Sequence, residues 1–144
     1  VKAWSLWQPW ASLWLSPCKI HETRSWPLNY RGPLLVHATK HIEFKSVSPD
    51  LEDILDSEFG PHWGTDLPRG ALIGLVEVVD CVRTVNAELG ATAEDVACGD
   101  WTPGRYAIKR SPVVKKFAWP IPYRGKQRNP FDVSDEIVRE ALAA

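Results

Sequence analysis

The chain has no methionine and only three cysteines among its 144 residues. Cys18, Cys81 and Cys98 are odd in number, and no two share metal-ligand spacing, so reduced thiols in a cytoplasmic protein are expected. No stretch reaches the roughly 18 apolar residues of a membrane span, and the longest apolar strand candidate is broken by Gly74 and Glu77. A secretory leader is not expected either, because Ser5, Gln8, Pro9 and Ser12 interrupt the opening residues. There is no P-loop, no G-x-G-x-x-G and no G-x-S-x-G elbow. His21, His37, His41 and His62 are scattered, with no cysteine or acid to complete a zinc set. Neither a metal nor a cofactor is expected.

Charge of one sign is also missing: the net value is −1. Its distribution is uneven. Residues 1–40 carry five Lys/Arg against one acid, and residues 41–100 carry three against thirteen. Residues 101–131 carry eight against none, and residues 132–144 one against four. If the fold joins the two basic blocks, they form one positive face suited to phosphate-bearing ligands; otherwise each is a solvated surface.

Local patterns place the elements. Trp4 to Leu6 starts a strand, Gln8-Pro9 turns the chain, and Trp10 to Leu15 makes a short helix ended by Ser16-Pro17. Lys19 to Thr23 alternates too weakly to assign. Leu34 to Ala38 is an apolar run of the length of a buried strand. Residues 41–66 form an acidic insert, whose helix is capped by Ser48 with Pro49 at its first position and ends near Gly60-Pro61. Residues 60–70 read as loop. Ala71 to Val82 is the longest strand, and Thr92 with Asp95 fits a capping box. Tyr106 to Lys109 and Val113 to Trp119 are strands around an Arg110-Ser111-Pro112 turn. Ser134 caps a final helix over about 134–142. No βαβ rhythm appears, so the expected fold is one α+β domain over 1–144, a compact mixed β-barrel with peripheral helices.

WPLNYRG (Trp26 to Gly32) recurs as WPIPYRG (Trp119 to Gly125). The echo predicts one loop geometry used at two similar places, facing each other across one mouth. It is too short for a duplicated fold.

Candidate chemistry gathers in the first basic block. Lys19, Glu22 and Arg24 have a K-x-x-E-x-R spacing. Convergence would let Glu22 hold a cation that meets a phosphate or carbonyl, and a desolvated Lys19 amine would be a base or nucleophile. The competing reading is a surface ion pair of little worth. Ser25-Trp26 and Tyr30-Arg31 offer stacking planes and a guanidinium fork, although Trp26 taken alone reads as core.

SLWQPWASL, then K-x-x-E-T-R-S-W, then YRGPLLVHA-x-K resembles the activating signal cointegrator homology (ASCH) domain. LPRGALIGLVEVVDCV and RYAIKRSPVVKKFAWPIPYRGK resemble its later segments, with residues 41–66 and 84–100 as variable spacers. Pro17-Cys18 stands where that family usually has a Gly. The resemblance implies a PUA-like (pseudouridine synthase and archaeosine transglycosylase) β-barrel with a cleft, associated with RNA or other nucleic acid. By position it implies a cleft of Lys19, Glu22, Arg24, Ser25 and Trp26, beside Gln8, Trp10, Tyr30 and Arg31, with His37 and Lys40 ending the strand. Lys109, Lys115, Lys116, Arg124, Lys126 and Arg128 would extend a basic rim.

Some smaller relatives are amidohydrolases on acetylated cytidine that use a Lys, a Thr and a Glu. Only Lys19 carries over, since Glu22 stands in place of their Thr. The expected function is therefore RNA or nucleotide-like ligand binding in a basic cleft, by a monomer with no membrane partner. The alternatives are a hydrolase acting on RNA or a modified nucleoside (an amidohydrolase or a ribonuclease) with Lys19 and Glu22 as working groups, and a protein-interaction module using the acidic insert.

Overall fold

A computed structural model describes residues 1–126 and 129–144. Arg128 lies outside the described residues. Strand β1 (Lys2–Gln8) leads into helix α1 (Trp10–Leu13), and strands β2 (His21–Arg24) and β3 (Gly32–Ile42) follow. Helices α2 (Pro49–Phe59) and α3 (Trp63–Asp66) precede the long strand β4 (Ala71–Arg83). Helix α4 (Thr84–Ala87), a 3-10 turn at Glu88–Gly90 and helix α5 (Ala93–Ala97) come next. Strands β5 (Tyr106–Arg110), β6 (Lys115–Pro122) and β7 (Phe131–Asp132) and helix α6 (Asp135–Ala143) complete the chain.

The seven strands form one mixed sheet in the order β2-β5-β4-β3-β1-β7, with β6 also paired to β4. The α+β class read from the sequence is the one observed, with helices around a mixed sheet. The outer strands β2 and β7 are not paired to each other, so the ladder does not close into a complete barrel. Among the described residues, β1 and β3 run parallel and every other pairing is antiparallel.

The uninterrupted apolar run in β3 has a direct cause: the strand is buried on both faces. Leu34, Val36 and Ala38 pack with Trp4, Trp14 and Val76, whereas Leu35 packs with Leu72, Phe117, Ile121 and Phe131. Each such leucine contributes about 1.5–3 kcal/mol relative to exposure. A smaller apolar group joins α1 to the insert through Leu13, Leu51, Leu55, Trp63 and Cys98. The acidic helix α2 thus turns Leu51 and Leu55 inward, and the Ser48 hydroxyl accepts the Leu51 N–H at 3.1 Å.

Three local readings change. His21–Arg24 is a strand because it borrows its ladder from β5, eighty-odd residues away, a partner that alternation within the segment cannot reveal. Residues 63–66 close a helical turn over the buried Trp63 inside a stretch read as loop. The Arg110-Ser111-Pro112 segment does not reverse the chain. Strands β5 and β6 run in succession along one edge of β4, pairing with Val78–Arg83 and Ala71–Leu75. Pro112 has no N–H to donate, so the ladder lapses there and resumes at Lys115.

Gly74 sits where this edge is tightest. A Cβ there would stand 2.5 Å from a Leu15 methyl and 2.7 Å from the Lys115 carbonyl oxygen. Gly74→Ala is therefore expected to lower stability by about 1–3 kcal/mol through overpacking. Urea unfolding midpoints equal to those of the parent chain would contradict this packing.

Candidate functional site

The site begins with a buried cap. Gln8 is fully buried; its Oε1 accepts the Ser12 N–H at 3.0 Å, and its Nε2 donates to Ser12 Oγ and the Pro68 carbonyl, both at 2.8 Å. These bonds fix α1 and the Trp10 ring it carries into a cleft of about 670 Å³. After α1 the chain is gripped by Arg110, 1% exposed. Its guanidinium donates to the carbonyls of Trp14 (2.5 Å), Ser16 (2.7 Å) and Lys19 (2.9 Å). Burial lowers the Arg110 pKa from its ordinary value, and Asp95 acts in the opposite sense. A guanidinium keeps its charge even so, and its planar fork matches several carbonyls at once.

Lys19 leaves this loop with its side chain wholly enclosed. Nζ donates to the Cys98 carbonyl at 2.8 Å and pairs with Glu22 Oε1 at 3.2 Å, so Lys19 and Glu22 meet inside the fold and not as a surface ion pair. One residue on, β2 is held by Asp95 of α5. Asp95 Oδ1 accepts the N–H groups of Ile20 (2.9 Å) and His21 (3.1 Å), and Oδ2 lies 2.6 Å from His21 Nδ1. Burial alone would raise the Asp95 pKa, but the hydrogen bonds and charge of His21 hold it below the ordinary carboxylate value. The Thr92 hydroxyl caps α5 on the Asp95 N–H as the motif predicts. The Asp95 carboxylate, however, serves β2.

Arg24 forms the cleft wall. Its guanidinium lies 4.7 Å from the Trp4 ring centre and 4.1 Å from that of Trp26. Burial brings its pKa down to about 10, with Glu22 and Cys81 pulling upward, so it is charged at neutral pH. Trp26 is 43% exposed and Trp7 53% exposed. Trp4, Trp7, Trp10 and Trp26 all line the cleft, so Trp26 belongs to the mouth and not to the core. Among the described residues, the charged side chains lining it are Glu22, Glu43 and Asp100 against Arg24 and Arg105, which is not a basic surface.

The remaining predicted residues divide. Glu22, Arg24, Trp10 and Trp26 line the cleft; Lys19 lies enclosed behind Glu22, and Ser25 is exposed beside Trp26. Arg31 folds back on the carbonyls of Leu28 and Tyr30 and faces Asp80 at 4.0 Å, while the Tyr30 hydroxyl donates to the Pro33 carbonyl. Lys40 is exposed and lies against Gly70. In the rim, Lys115 donates to the Leu142 carbonyl, Lys116 is exposed on β6, and Lys109 lines a separate depression with His21 and Asp95.

Arg124 and Lys126 come closer. Between them Gly125 is pressed on Ser5, a cleft residue, where a Cβ would lie 2.3 Å from Ser5 Oγ. His37 holds this segment from beneath: Nε2 is 2.6 Å from the Tyr123 carbonyl and Nδ1 is 2.9 Å from Ser5 Oγ. The two Tyr-Arg-Gly copies do not share a mouth. Tyr30 packs with the Trp4 core group and Tyr123 with the Leu35 group, on opposite faces of the sheet.

Sequence reasoning missed Arg110, Asp95, Trp4, Trp7, Asp100 and Arg105. The tryptophan content was a signal for two of these, and the capping box marked Asp95 only as the partner of Thr92; nothing local marked the other three. Among the described residues, no group of three or more His, Cys, Asp or Glu could hold a metal ion, and no helix is long and apolar enough to cross a membrane.

The sequence model of the family described as "ASCH domain" matches residues 5–133. The chain is 36% identical over 84 residues to "Activating signal cointegrator 1" of Homo sapiens and equally to that of Mus musculus, covering 54% of this chain and 14% of each relative. It thus spans a small part of those proteins. A crystal structure of a mutant ZmASCH protein from Zymomonas mobilis superposes with a TM-score of 0.56 at 15% identity, covering 99% of this chain and 96% of that one. At that identity the likeness is one of fold.

A carbonyl only accepts, so the bond to Tyr123 requires the His37 proton on Nε2, and Nδ1 then accepts from the Ser5 hydroxyl. Burial lowers the His37 pKa below its ordinary 6.5, the Tyr123 bond acting in the opposite sense. The unfolded state therefore binds the proton more readily than the native state. The contribution of His37 to stability is complete above pH of about 6.5 and is lost as pH falls through the native pKa. Urea unfolding at pH 7.5 and 5.0 should show this loss in the parent chain and less of it in His37→Gln. Equal pH slopes in the two would contradict the neutral latch.

Proposed function

This chain belongs to the ASCH domain family, of PUA-like fold, and from that premise we propose that it is a single domain whose cleft binds RNA or a nucleotide-like ligand. The base enters the cleft and the phosphates stay at its edge. The observation that carries this reading is the Trp26 indole, left half in solvent at a cleft mouth and braced from behind by Arg24 at 4.1 Å. An exposed aromatic plane fixed in place before binding is what base stacking uses, and prior fixing lowers the cost of ordering. Trp7 and Trp10 supply further apolar wall on the β1–α1 side.

The charge pattern supports keeping the phosphates outside. Glu22, Glu43 and Asp100 against Arg24 and Arg105 leave the described cleft lining with no excess of positive charge to draw an anion in. Arg124 and Lys126, exposed on either side of Gly125, which packs on the cleft residue Ser5, are the cations proposed to meet the phosphates. The binding reading is favoured over the hydrolase because Lys19 Nζ is enclosed and occupied by Glu22 and the Cys98 carbonyl. A nucleophile must reach its substrate, and this amine lies behind the cleft wall.

Titration of intrinsic fluorescence with short single-stranded RNA tests the reading. Quenching is expected, and Trp26→Ala should weaken binding by about 1–3 kcal/mol, the worth of one stacked base. Unchanged affinity in Trp26→Ala would refute it. Replacing Arg124 and Lys126 together by Ala should flatten the slope of log K against log salt by about 1.4, for two phosphate contacts on a single strand. An unaltered slope would remove them from the interface.

A further inference from the structure

The second depression holds a group that the protein leaves unused. Its volume is about 400 Å³, and His21 and Asp95 line it, whereas Glu22 and Thr23, next along β2, line the cleft. Among the described residues, and besides the His21 ring, its charged side chains are Lys109 and Arg110 against Asp95. It therefore has the excess of positive charge that the cleft lacks. Arg110 and Asp95 are spent on the fold. The Arg110 guanidinium serves three carbonyls, and the Asp95 oxygens face two backbone N–H groups and the His21 ring.

His21 is not spent. Asp95 is ionised at neutral pH, since its pKa is held below the ordinary carboxylate value, so the ring proton sits on Nδ1 and donates to Oδ2 at 2.6 Å. The ring is 6% exposed, yet its Nε2 is not sealed from solvent and has no partner among the described residues. Lys109 stands beside it. The Ile20 carbonyl accepts the Arg110 N–H at 3.2 Å, so His21 and Lys109 are the next pair along the ladder, the kind without mutual hydrogen bonds. In such a pair the Cα atoms are about 4.5 Å apart and the side chains share one face. Lys109 is exposed and makes no ion pair among the described residues. Thr92 also lines the depression, and its Oγ1 accepts the Asp95 N–H at 3.0 Å, which leaves its own proton to give.

We propose that this depression binds a phosphoryl group, whose oxygens accept from the protonated His21 Nε2, the Lys109 ammonium and the Thr92 hydroxyl. These donors come from β2, β5 and the cap of α5, an arrangement suited to the three oxygens of a phosphoryl group more than to the two coplanar ones of a carboxylate. Ile20, Val79 and Pro112 supply an apolar wall, which strengthens the attraction between the charges inside it. The charged groups facing the ring are Asp95 from α5 and Lys109 from β5; Trp101, packed on it at 5.4 Å, is uncharged. Beyond Lys109 the ladder places Asp80 of β4, whose carboxylate accepts the Cys81 N–H. With Asp95 behind the ring to stabilise an imidazolium, binding of the anion takes up a proton on Nε2. The site needs no base in the cleft, so it stands or falls apart from that reading.

The test titrates ¹⁵N-labelled protein at fixed ionic strength with sulfate, phosphate, acetate and uridine 5′-monophosphate. His21→Asn identifies the ring nitrogens by their loss, and its amide N–H still reaches Asp95 in place of Nδ1. Sulfate and phosphate should move those resonances, and acetate should not. Sulfate keeps its charge across the imidazole range, so its affinity should rise as pH falls from about 8 to about 5.5, and His21→Asn should abolish that rise. Lys109→Gln, at an exposed side chain, should weaken sulfate about tenfold and keep the pH dependence, whether or not His21→Asn folds. Uridine monophosphate binding more tightly than phosphate at His21 would assign the phosphoryl group of a nucleotide, and equal binding would assign the free ion. Ring nitrogens unmoved by sulfate and phosphate would overturn the proposal. So would an equal shift with acetate, a sulfate affinity independent of pH, or one unchanged in Lys109→Gln.

Discussion

Arg110 stands at the end of β5 with its guanidinium spread over the carbonyls of Trp14, Ser16 and Lys19. Those carbonyls belong to a loop that has left α1 and not yet joined β2, so no regular ladder is available to them. A buried backbone carbonyl without a donor is unfavourable, and one planar cation answers three of them. The path of residues 14–19 is thereby set, and with it the direction in which Lys19 points. Lys19 then ties to the Cys98 carbonyl, and Asp95 ties the start of β2 to α5. The cleft lies between elements that these bonds hold together.

This arrangement gives the charged residues unequal roles. Lys19 and Arg110, fully enclosed, organise backbone; Arg24, on the wall, braces Trp26; Arg124 and Lys126 remain in solvent. Depth separates cations that the sequence presents as one basic class. A cation bonded to carbonyls within the fold has little left for a ligand, whereas an exposed one keeps its long-range field.

Elements whose causes are local could be read directly. Ser48 with Pro49 announces α2, and the continuous run Leu34–Ala38 announces a strand covered on both faces. The ordered motifs around Lys19 point to the right family. What could not be read depends on distant partners. β2 takes its identity from β5, the Asp95 carboxylate from His21, and Arg110 from carbonyls, which leave no trace in a side-chain pattern. The basic cleft failed to appear for the same reason. Block charge says nothing of which side chains turn inward, and Glu43 and Asp100 of the acidic middle line the cleft that the basic ends were expected to form.

The central claim is that the Arg110 fork prepares the cleft before any ligand arrives. Amide hydrogen exchange on Arg110→Lys, which keeps the charge and loses the fork, tests it most directly. The account predicts faster exchange at residues 15–24 and at Gly99, with protection unchanged at the β3–β4 ladder. Equal protection at residues 15–24 in the variant and the parent would contradict it.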